Sequence, residues 1–390
     1  MIPRYDVVVV GGGPSGATAA TTLARAGHHV LLLDKAGRIK PCGGAVPPRL
    51  IKDYAIPDSQ IVAKATAARI IAPSRREVNM PVGTGYVGMV DREHFDEWLR
   101  ERARLAGAER QTGSFESLER DADGKALIAY RDGGGQLRHV ETRLVIGADG
   151  ARSQVAKAAL PGAVQLPCVF AYHEIVATPK QPDFRSDRCD VIYQGPVSPD
   201  FYGWVFPHGD QTSVGTGSAN KGFGLREATA KLRQQSGLAN AETIRTEGAP
   251  IPMKVRKRWD NGRDVIVAGD AAGVVAPASG EGIYYAMASG EMVGEAGHAF
   301  LTTGKASALK LARKRFMREH RMTFMALTLL QRIWYASDKR REKFVAMCDD
   351  PDVQMLTWQA YMDKKLVRRR PMAHARVFFK DVKQLMGFAT

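Results

Sequence analysis

Three glycines near the amino terminus have the spacing of a loop that binds a diphosphate. Gly11, Gly13 and Gly16 fit the pattern G-x-G-x-x-G, between the apolar run 7–10 and a helical run that follows. Glycines at these positions allow a tight turn, a close approach of the backbone to a pyrophosphate and close packing of helix on strand. The N-terminus of the helix adds free N–H groups and the positive end of a dipole. We therefore predict a dinucleotide site, with an ordinary glycine-rich turn as the alternative.

An acidic residue at the end of the next predicted strand narrows the choice of dinucleotide. Asp34 closes the apolar run 30–33 and is followed by Lys35. A carboxylate at this point hydrogen-bonds an adenosine ribose and would repel the 2′-phosphate of NADP. The prediction for this loop is FAD or NAD.

Two later motifs favour FAD. One apolar run ends in Gly-x-Asp-Gly at Asp149, and another ends in Gly-Asp-Ala-Ala-Gly at Asp270. A cofactor with a ribityl chain and an isoalloxazine ring needs such groups, whereas NAD does not. Pro277 would stiffen the turn that follows, and Gly280 and Gly282 would let backbone N–H groups reach the N1–C2=O edge of a flavin. A helix that begins there would favour the negative charge of a reduced flavin.

These motifs resemble the FAD-dependent oxidoreductases with the p-hydroxybenzoate-hydroxylase-like fold, over about the first 300 residues. Three shorter segments narrow the resemblance: Pro-Cys-Gly-Gly at 41–44, the YxWxFP pattern at 202–207, and Gly-Glu-Gly-Ile-Tyr-Tyr-Ala at 280–286. Together they look like the geranylgeranyl reductase family, and the segment 45–50 looks most like its bacteriochlorophyll/chlorophyll branch.

The resemblance implies an FAD-dependent reductase of bacteriochlorophyll biosynthesis, with NADPH as the expected transient electron donor and a ferredoxin or another donor as the alternative. It would saturate isolated C=C bonds of a geranylgeranyl chain, carried by a diphosphate or by a tetrapyrrole ester. The alternatives are an FAD-dependent monooxygenase of an aromatic or isoprenoid substrate and a prenyl-binding escort protein without flavin chemistry. The intact motif around Asp270 disfavours the escort protein.

The resemblance also implies roles for single residues. It puts Cys42, Gly43 and Gly44 beside the flavin, with Cys42 as the candidate proton donor; a small buried hydrophobe is the alternative for Cys42. Arg92 lies in a segment that resembles the family's R-x-x-F-D-x-x-L element and is expected to meet the cofactor or to cap its domain. His173 and Glu174 are weaker candidates for proton transfer, with hydrogen-bonded structural groups as the alternative.

Three aromatic residues alternate along one predicted strand. Tyr202, Trp204 and Phe206 have a period of two, so they should share one face, with Pro207 next to them. A long isoprenoid needs a deep apolar tunnel. We predict that these four residues bind the substrate, with packing between sheets as the alternative.

The complete set of predicted cofactor-binding residues is Gly11, Gly13, Pro14, Ser15, Gly16, Asp34, Lys35, Cys42, Gly43, Gly44, Arg92, Asp149, Gly269, Asp270, Pro277, Gly280, Glu281, Gly282 and Ile283.

The predicted fold class is α/β, with a Rossmann-like FAD-binding domain, an interleaved antiparallel β-sheet domain for the substrate and a helical C-terminal region. The FAD-binding domain would contain residues 1–65, 90–160 and 255–305, and the substrate domain residues 66–89 and 161–254. Residues 306–390 would form basic helices, because their apolar residues have helical spacing and glycines are few.

Composition adds expectations about partners. The 390-residue chain has a net charge of +15, and residues 301–390 hold 20 Lys and Arg against 8 Asp and Glu. No nucleic-acid fold signature accompanies the charge, so an anionic membrane is the expected partner and nucleic acid is not. The apolar segment 322–335 would lie in a bilayer interface or pack in a helical bundle.

The cysteines and the apolar runs predict the compartment. Four cysteines without metal-ligand spacing suggest reduced thiols and no metal site. No signal peptide and no apolar run of about 18–20 residues are recognised, so we expect a cytoplasmic protein. It would be peripheral on the inner face of a photosynthetic membrane.

Overall fold

The computed structural model describes residues 2–35, 39–163 and 165–364 and confirms the predicted α/β class. Two compact units divide the chain. Unit 1 contains the described residues within 1–39, 93–168 and 250–321, and unit 2 contains those within 40–92, 169–249 and 322–364. Each unit is built from separated segments, while the bounds of the three functional domains stay predictions. The cluster Arg368–Arg370 and the rest of the C-terminal region after residue 364 lie outside the described residues.

The strands of the described part follow one another in the order β1 Arg4–Val10, β2 Val30–Asp34, β3 Ala45–Val46, β4 Ala63–Ala65, β5 Ala67–Ile71, β6 Glu77–Pro81, β7 Val87–Met89, β8 Glu109–Arg120, β9 Ala126–Asp132, β10 Leu137–Gly147, β11 Cys168–Ala177, β12 Arg188–Ile192, β13 Gly203–His208, β14 Gln211–Ser218, β15 Thr243–Pro252 and β16 Val265–Val267. The α-helices are α1 Pro14–Arg25, α2 Pro48–Asp53, α3 Arg92–Leu105, α4 Gln154–Ala159, α5 Leu225–Gln235, α6 Ile283–Thr303, α7 Lys310–Trp334, α8 Asp338–Met347 and α9 Pro351–Asp363.

Unit 1 is organised around a parallel sheet. The strands β8, β2, β1, β10 and β16 are parallel neighbours in that order, and β9 adds an antiparallel meander with β8 and β10. Val7, Val8 and Val9 of β1 are fully buried, as the apolar run of a central parallel strand requires. Ligands of such sheets bind at the carboxyl ends of the strands. Gly11, Asp34, Asp149 and Gly269 all follow or end strands at this edge.

Helices α1 and α6 of unit 1 pack closely because α6 presents glycines to α1. A β-carbon on Gly290 would lie 2.2 Å from the carbonyl oxygen of Ser15, and one on Gly294 would lie 2.8 Å from Cβ of Thr22. Side chains at these positions would push the helices apart. Gly290 and Gly294 therefore allow α1 to lie close to α6 from its first turn, at Ser15, to Thr22.

Unit 2 is organised around a seven-stranded sheet with the order β15-β11-β14-β13-β12-β5-β6. The pairs β11–β14, β14–β13, β13–β12 and β5–β6 are antiparallel, and β12–β5 is parallel. One face of the sheet packs in a core of Val176, Ile192, Val197, Val205, Val214, Leu232 and Leu238. A small sheet of β3, β7 and β4 also belongs to this unit.

Among the described residues, none of the helices combines the length and the apolarity that crossing a membrane requires.

Candidate functional site

The loop between β1 and α1 accepts only glycine at two of its positions. Gly11 has a φ of +105°, and a β-carbon there would lie 2.3 Å from the carbonyl oxygen of Ala148. A β-carbon on Gly16 would lie 1.8 Å from the carbonyl oxygen of Gly11. The first and third glycines of the pattern therefore allow the tight turn and its close packing on the neighbouring strand.

Gly13 has the opposite surroundings. A β-carbon there would meet no described atom within 4 Å, and Gly13 is the N-cap of α1 without a side-chain hydrogen bond. Pro14 is the first residue of α1, and the first turn contains no acidic residue. Open space in front of an uncapped helix N-terminus fits a diphosphate. The loop is therefore suited to the pyrophosphate of FAD.

Asp34 lies directly behind this loop and is paired with a residue that sequence reasoning missed. A β-carbon on Gly12 would lie 2.8 Å from the Asp34 carboxylate, and Nη1 of Arg100 lies 3.1 Å from Oδ2 of Asp34. Burial raises the pKa of Asp34, while the N–H of Gly12 and the guanidinium of Arg100 oppose that shift. Arg100 thus holds the carboxylate in place. It lies within α3, where no local pattern distinguishes it from the other arginines of that helix. Lys35, the next residue after Asp34, is exposed.

Asp149 is largely engaged by its own loop. One carboxylate oxygen accepts a hydrogen bond from Oγ of Ser153 at 2.5 Å, and the other accepts from the backbone N–H groups of Gln154 (2.6 Å) and Val155 (3.1 Å). Burial raises the pKa of Asp149, and these donors oppose the shift. The observed role of the carboxylate is to hold the N-terminus of α4. Its contact with a cofactor stays a prediction.

The third motif meets the first one inside unit 1. Gly269 has a φ of +61°, and a β-carbon there would lie 2.3 Å from Oγ of Ser15. Its N–H donates to Oγ of Ser289 at 3.0 Å. The turn that carries Asp270, which is buried, is thereby held against the first turn of α1. Two motifs more than 250 residues apart in sequence form one edge of the site.

Arg256 supports the same turn and was not predicted. Its Nε donates to the carbonyl oxygen of Ala271 at 2.7 Å, and its backbone N–H donates to that of Ala272 at 2.9 Å. Burial lowers the pKa of Arg256, and the charge of Asp149 opposes that shift. The burial of an arginine within a loop cannot be recognised from the sequence alone.

The segment after this turn leads into α6 as expected. Gly280 has a φ of +64°, and its N–H donates to the carbonyl oxygen of Ala276 at 3.0 Å. The carbonyl oxygen of Glu281 accepts a hydrogen bond from the N–H of Ala276 at 2.9 Å. Helix α6 begins at Ile283, with Gly282 as an N-cap that makes no side-chain hydrogen bond. Pro277 lies in the turn and is buried.

In unit 2, the turn that contains Cys42 packs against β13. A β-carbon on Gly43 would lie 2.9 Å from the ring of Phe206, and one on Gly44 would lie 2.3 Å from Nε2 of His208. The N–H of Gly44 points to Sγ of Cys42 at 3.4 Å. The segment 41–44 and the YxWxFP strand, which the sequence shows as separate motifs, are therefore direct neighbours.

His208 is a residue that sequence reasoning missed, although it follows the YxWxFP pattern immediately. Its Nδ1 lies 2.8 Å from the carbonyl oxygen of Phe206, so Nδ1 carries the proton. Burial lowers the pKa of His208 to about 4, although the Phe206 carbonyl and Asp91 oppose the shift. The imidazole is therefore neutral near pH 7. Its unprotonated Nε2 faces the Gly44 turn.

Trp204 belongs to a chain of buried polar groups in unit 2. Its Nε1–H donates to Oγ of Ser213 at 3.0 Å, and Nδ1 of His173 lies 2.9 Å from the same oxygen. Nε2 of His173 lies 2.7 Å from Glu247, which also accepts from Arg245 at 2.9 Å. The indole is thus held in one orientation. His173 takes part in fixing this orientation through Ser213, and a part for it in proton transfer stays a prediction.

Tyr202, just before β13, and Phe206 within it flank Trp204 along the chain. The ring of Tyr202 lies 6.2 Å from that of Trp204, while Val205 faces the core on the opposite side of the sheet. Phe206 packs against a cluster that includes Met89, and Pro207 is buried. The contact between Tyr202 and Trp204 agrees with the predicted alternation. Whether they bind a substrate stays a prediction.

Arg92 is buried and begins α3. Within the ranges 2–35, 39–163 and 165–364, no group of three or more His, Cys, Asp or Glu is arranged to hold a metal ion.

Two known families match the chain. The family described as FAD binding domain matches residues 52–315, and the family described as NAD(P)-binding Rossmann-like domain matches residues 9–60. The second match contains the Gly11–Gly16 loop and Asp34, so it covers the dinucleotide site already described and adds no further domain. These matches confirm FAD as the cofactor and the Rossmann-like fold.

Relatives and a solved structure extend the comparison. The geranylgeranyl diphosphate reductase of Rhodobacter capsulatus is 55% identical over 98% of this chain and 98% of its own. The geranylgeranyl diphosphate reductase of Synechocystis is 37% identical over 97% of each chain. The crystal structure of a geranylgeranyl bacteriochlorophyll reductase-like protein from Thermoplasma acidophilum has a TM-score of 0.81 and 22% identity, and the match covers 97% of this chain and all of that one. That structure shares the fold.

Proposed function

The chain belongs to the geranylgeranyl diphosphate reductase family and is an FAD-dependent oxidoreductase, and on that premise we propose that it saturates isolated C=C bonds of a geranylgeranyl chain. The observation that carries the proposal is the packing of the Cys42 turn against β13. It joins a candidate proton donor to the strand whose aromatic side chains would contact an isoprenoid.

We expect residues of unit 1 to bind the diphosphate, the adenosine ribose and the ribityl chain of the cofactor. The open space at Gly13 and the N-terminus of α1 would receive the diphosphate, and Asp34 would accept hydrogen bonds from the adenosine ribose. Asp270 would accept them from ribityl hydroxyl groups. Bound there, FAD would supply the hydride chemistry of the reaction, with NADPH as the proposed electron donor.

An isolated alkene also needs a proton on its second carbon. We assign that proton to Cys42, whose sulfur faces the N–H of Gly44. A hydrogen bond from this N–H stabilises the sulfur once its proton has left, because the charged form accepts it more strongly. His208 would hold the turn in place as a neutral group. It would be a positioning residue that does not exchange the proton itself.

The substrate class follows from the same strand. The rings of Tyr202, just before β13, and of Trp204 within it lie 6.2 Å apart, and Trp204 is held in one orientation by Ser213. Rigid aromatic walls suit a prenyl chain, which offers no group for hydrogen bonding along its length. The prenyl group of a tetrapyrrole ester or of a diphosphate would meet these residues in the same way.

We also propose that the protein works at a membrane surface in bacteriochlorophyll synthesis. A net charge of +15 supports attachment to anionic lipids, and a prenyl substrate dissolves in a bilayer. Attachment would be peripheral.

The test is an anaerobic incubation of the holoenzyme with NADPH and either geranylgeranyl diphosphate or geranylgeranyl-bacteriochlorophyll, with mass spectrometry of each product. We expect the addition of one H₂ for each bond reduced, without oxygen, and NADPH consumption in proportion. A product that forms only with oxygen and contains an oxygen atom from it would refute the proposal and favour a monooxygenase.

A further inference from the structure

The exposed side of α7 carries large apolar residues in a row. Met322, Met325 and Leu329 are 57%, 52% and 59% exposed. Spacings of three and four residues put them on one side of the helix, and we refer to these three residues as the α7 stripe. Phe324 and Trp334 of the same segment are buried. The segment therefore carries apolar residues on two sides: Phe324 and Trp334 are packed inside the protein, and the α7 stripe is exposed.

Two arginines lie close to the α7 stripe in sequence. Arg321 and Arg332 are exposed and bracket it in sequence, and residues 322–334 contain no acidic residue. The whole helix has seven Lys and Arg and a single acidic residue, Glu319. An exposed apolar row between arginines is the pattern of a helix that lies in the interface of an anionic membrane.

We propose that the α7 stripe is the surface by which the protein docks on an anionic lipid bilayer. Met322, Met325 and Leu329 would enter the boundary between headgroups and acyl chains, and Arg321 and Arg332 would meet lipid phosphates. This inference rests on the proposed function, since a lipid-soluble prenyl substrate is what makes the bilayer the relevant surface.

Charge argues for lipid against the other possible occupants. Residues 365–390 contain seven Lys and Arg and one Asp, so they would be repelled by the arginines beside the stripe. In a contact between two copies of the chain, the basic helix α7 of one copy would face α7 of the other, and the two would repel each other. An anionic bilayer offers an apolar interior and negative phosphates together.

The experiment is co-sedimentation of the full-length holoprotein with vesicles of phosphatidylcholine, with and without phosphatidylglycerol. The test variant is Met322→Gln/Met325→Gln/Leu329→Gln. The matched control is Leu105→Gln/Leu137→Gln/Ile244→Gln, which changes three exposed apolar residues elsewhere (72%, 50% and 47% exposed). We expect binding of the wild type to require phosphatidylglycerol and to weaken with salt. The test variant should bind at least about tenfold more weakly and the control within about twofold of the wild type.

Three results would overturn the inference. One is a wild type that does not sediment with anionic vesicles, and another is an equal loss in both triple variants. The third is a wild-type dimer in light scattering that the test variant converts to monomers, which would make the stripe a contact between copies.

A second measurement separates this inference from the proposed reductase activity. The test variant should reduce a prenyl substrate in detergent micelles at the wild-type rate and lose activity toward the same substrate in vesicles. A wild type that binds vesicles but yields no reduced product in either medium would reject the proposed function and leave the docking surface standing. A variant equally active in both media would reject the docking surface alone.

Discussion

Nε2 of His208 lies 2.3 Å from the position that a β-carbon would occupy on residue 44, so only glycine fits there. Gly44 also has a φ of +68°, which side chains disfavour. The turn can therefore close on β13 only with glycine there. Because the N–H of Gly44 faces Sγ of Cys42, this closure also determines where the thiol lies.

Replacement of Cys42 by Ser should slow alkene reduction and leave FAD binding intact. Serine keeps an acceptor for the N–H of Gly44 but is a far weaker acid. We expect kcat to fall by about 10²–10⁴-fold, the usual range for loss of a general acid. Cys168→Ser is the matched control, because Cys168 is another partly buried free cysteine. Product formation at the wild-type rate in Cys42→Ser would remove Cys42 from the mechanism.

Replacement of Gly13 by Asp should abolish FAD binding without unfolding the protein. The side chain has open space, so the fold should accept it, but its charge would stand where the diphosphate binds. Two unit charges about 4 Å apart repel by about 4 kcal/mol at an effective dielectric constant of about 20, or about a thousandfold in Kd. Flavin absorbance after gel filtration measures the loss. Gly133→Asp, at an exposed turn where a β-carbon would make only an ordinary contact of 3.6 Å with Thr112, should keep its flavin. A yellow Gly13→Asp protein would contradict the assignment.

Replacement of Arg100 by Gln should destabilise the protein in a pH-dependent way. It leaves the partly buried carboxylate of Asp34 without its cation, which should cost about 1–2 kcal/mol, since both side chains retain contact with water. The cost exists only while Asp34 is ionised. It should therefore be full at neutral pH and shrink as the pH falls through the raised pKa of Asp34.

Urea unfolding of the FAD-free protein at several pH values measures this effect. Arg104→Gln is the control on the same helix, because Arg104 pairs with Glu101 at the exposed surface. A loss of stability in Arg100→Gln that does not vary between neutral and acidic pH would argue against Asp34 as the partner that matters.

Replacement of His208 by Asn should make the protein less sensitive to acid. The pKa of His208 is lowered to about 4 in the folded protein. Between about pH 6.5 and 4, therefore, His208 is protonated in the unfolded chain and neutral in the folded chain. The wild type should lose up to about 3 kcal/mol of stability as the pH falls through this window, and the variant less. His94→Asn, at an exposed site on α3, is the control.

Activity gives an independent measure of His208. If the residue positions the Cys42 turn, His208→Asn should lower kcat while KM for the prenyl substrate changes little. An unchanged kcat together with the altered acid sensitivity would limit His208 to a structural role.

Much of the fold and of the cofactor site could be predicted because short, continuous sequence patterns specify them. The strand, glycine loop, helix and acid of residues 6–34 form one continuous unit, and its physics is local: a turn, a helix N-terminus and a strand end. The start of α6 after Gly282 was equally predictable. Arg100, Arg256 and His208 were not, because each acts on a residue distant in sequence and has no local pattern of its own.

By itself, the sequence determined which chemistry the chain can attempt, since an FAD site needs glycines at set spacings and these are written in consecutive residues. Only the tertiary structure decided which motifs meet. It placed Gly269 against Ser15 and the Cys42 turn against Phe206 and His208. It also placed the Asp149 carboxylate on the N-terminus of α4, the helix that follows it. The reason is that close packing tolerates no β-carbon at Gly44, Gly269 or Gly290, and this constraint exists only once distant segments have come together.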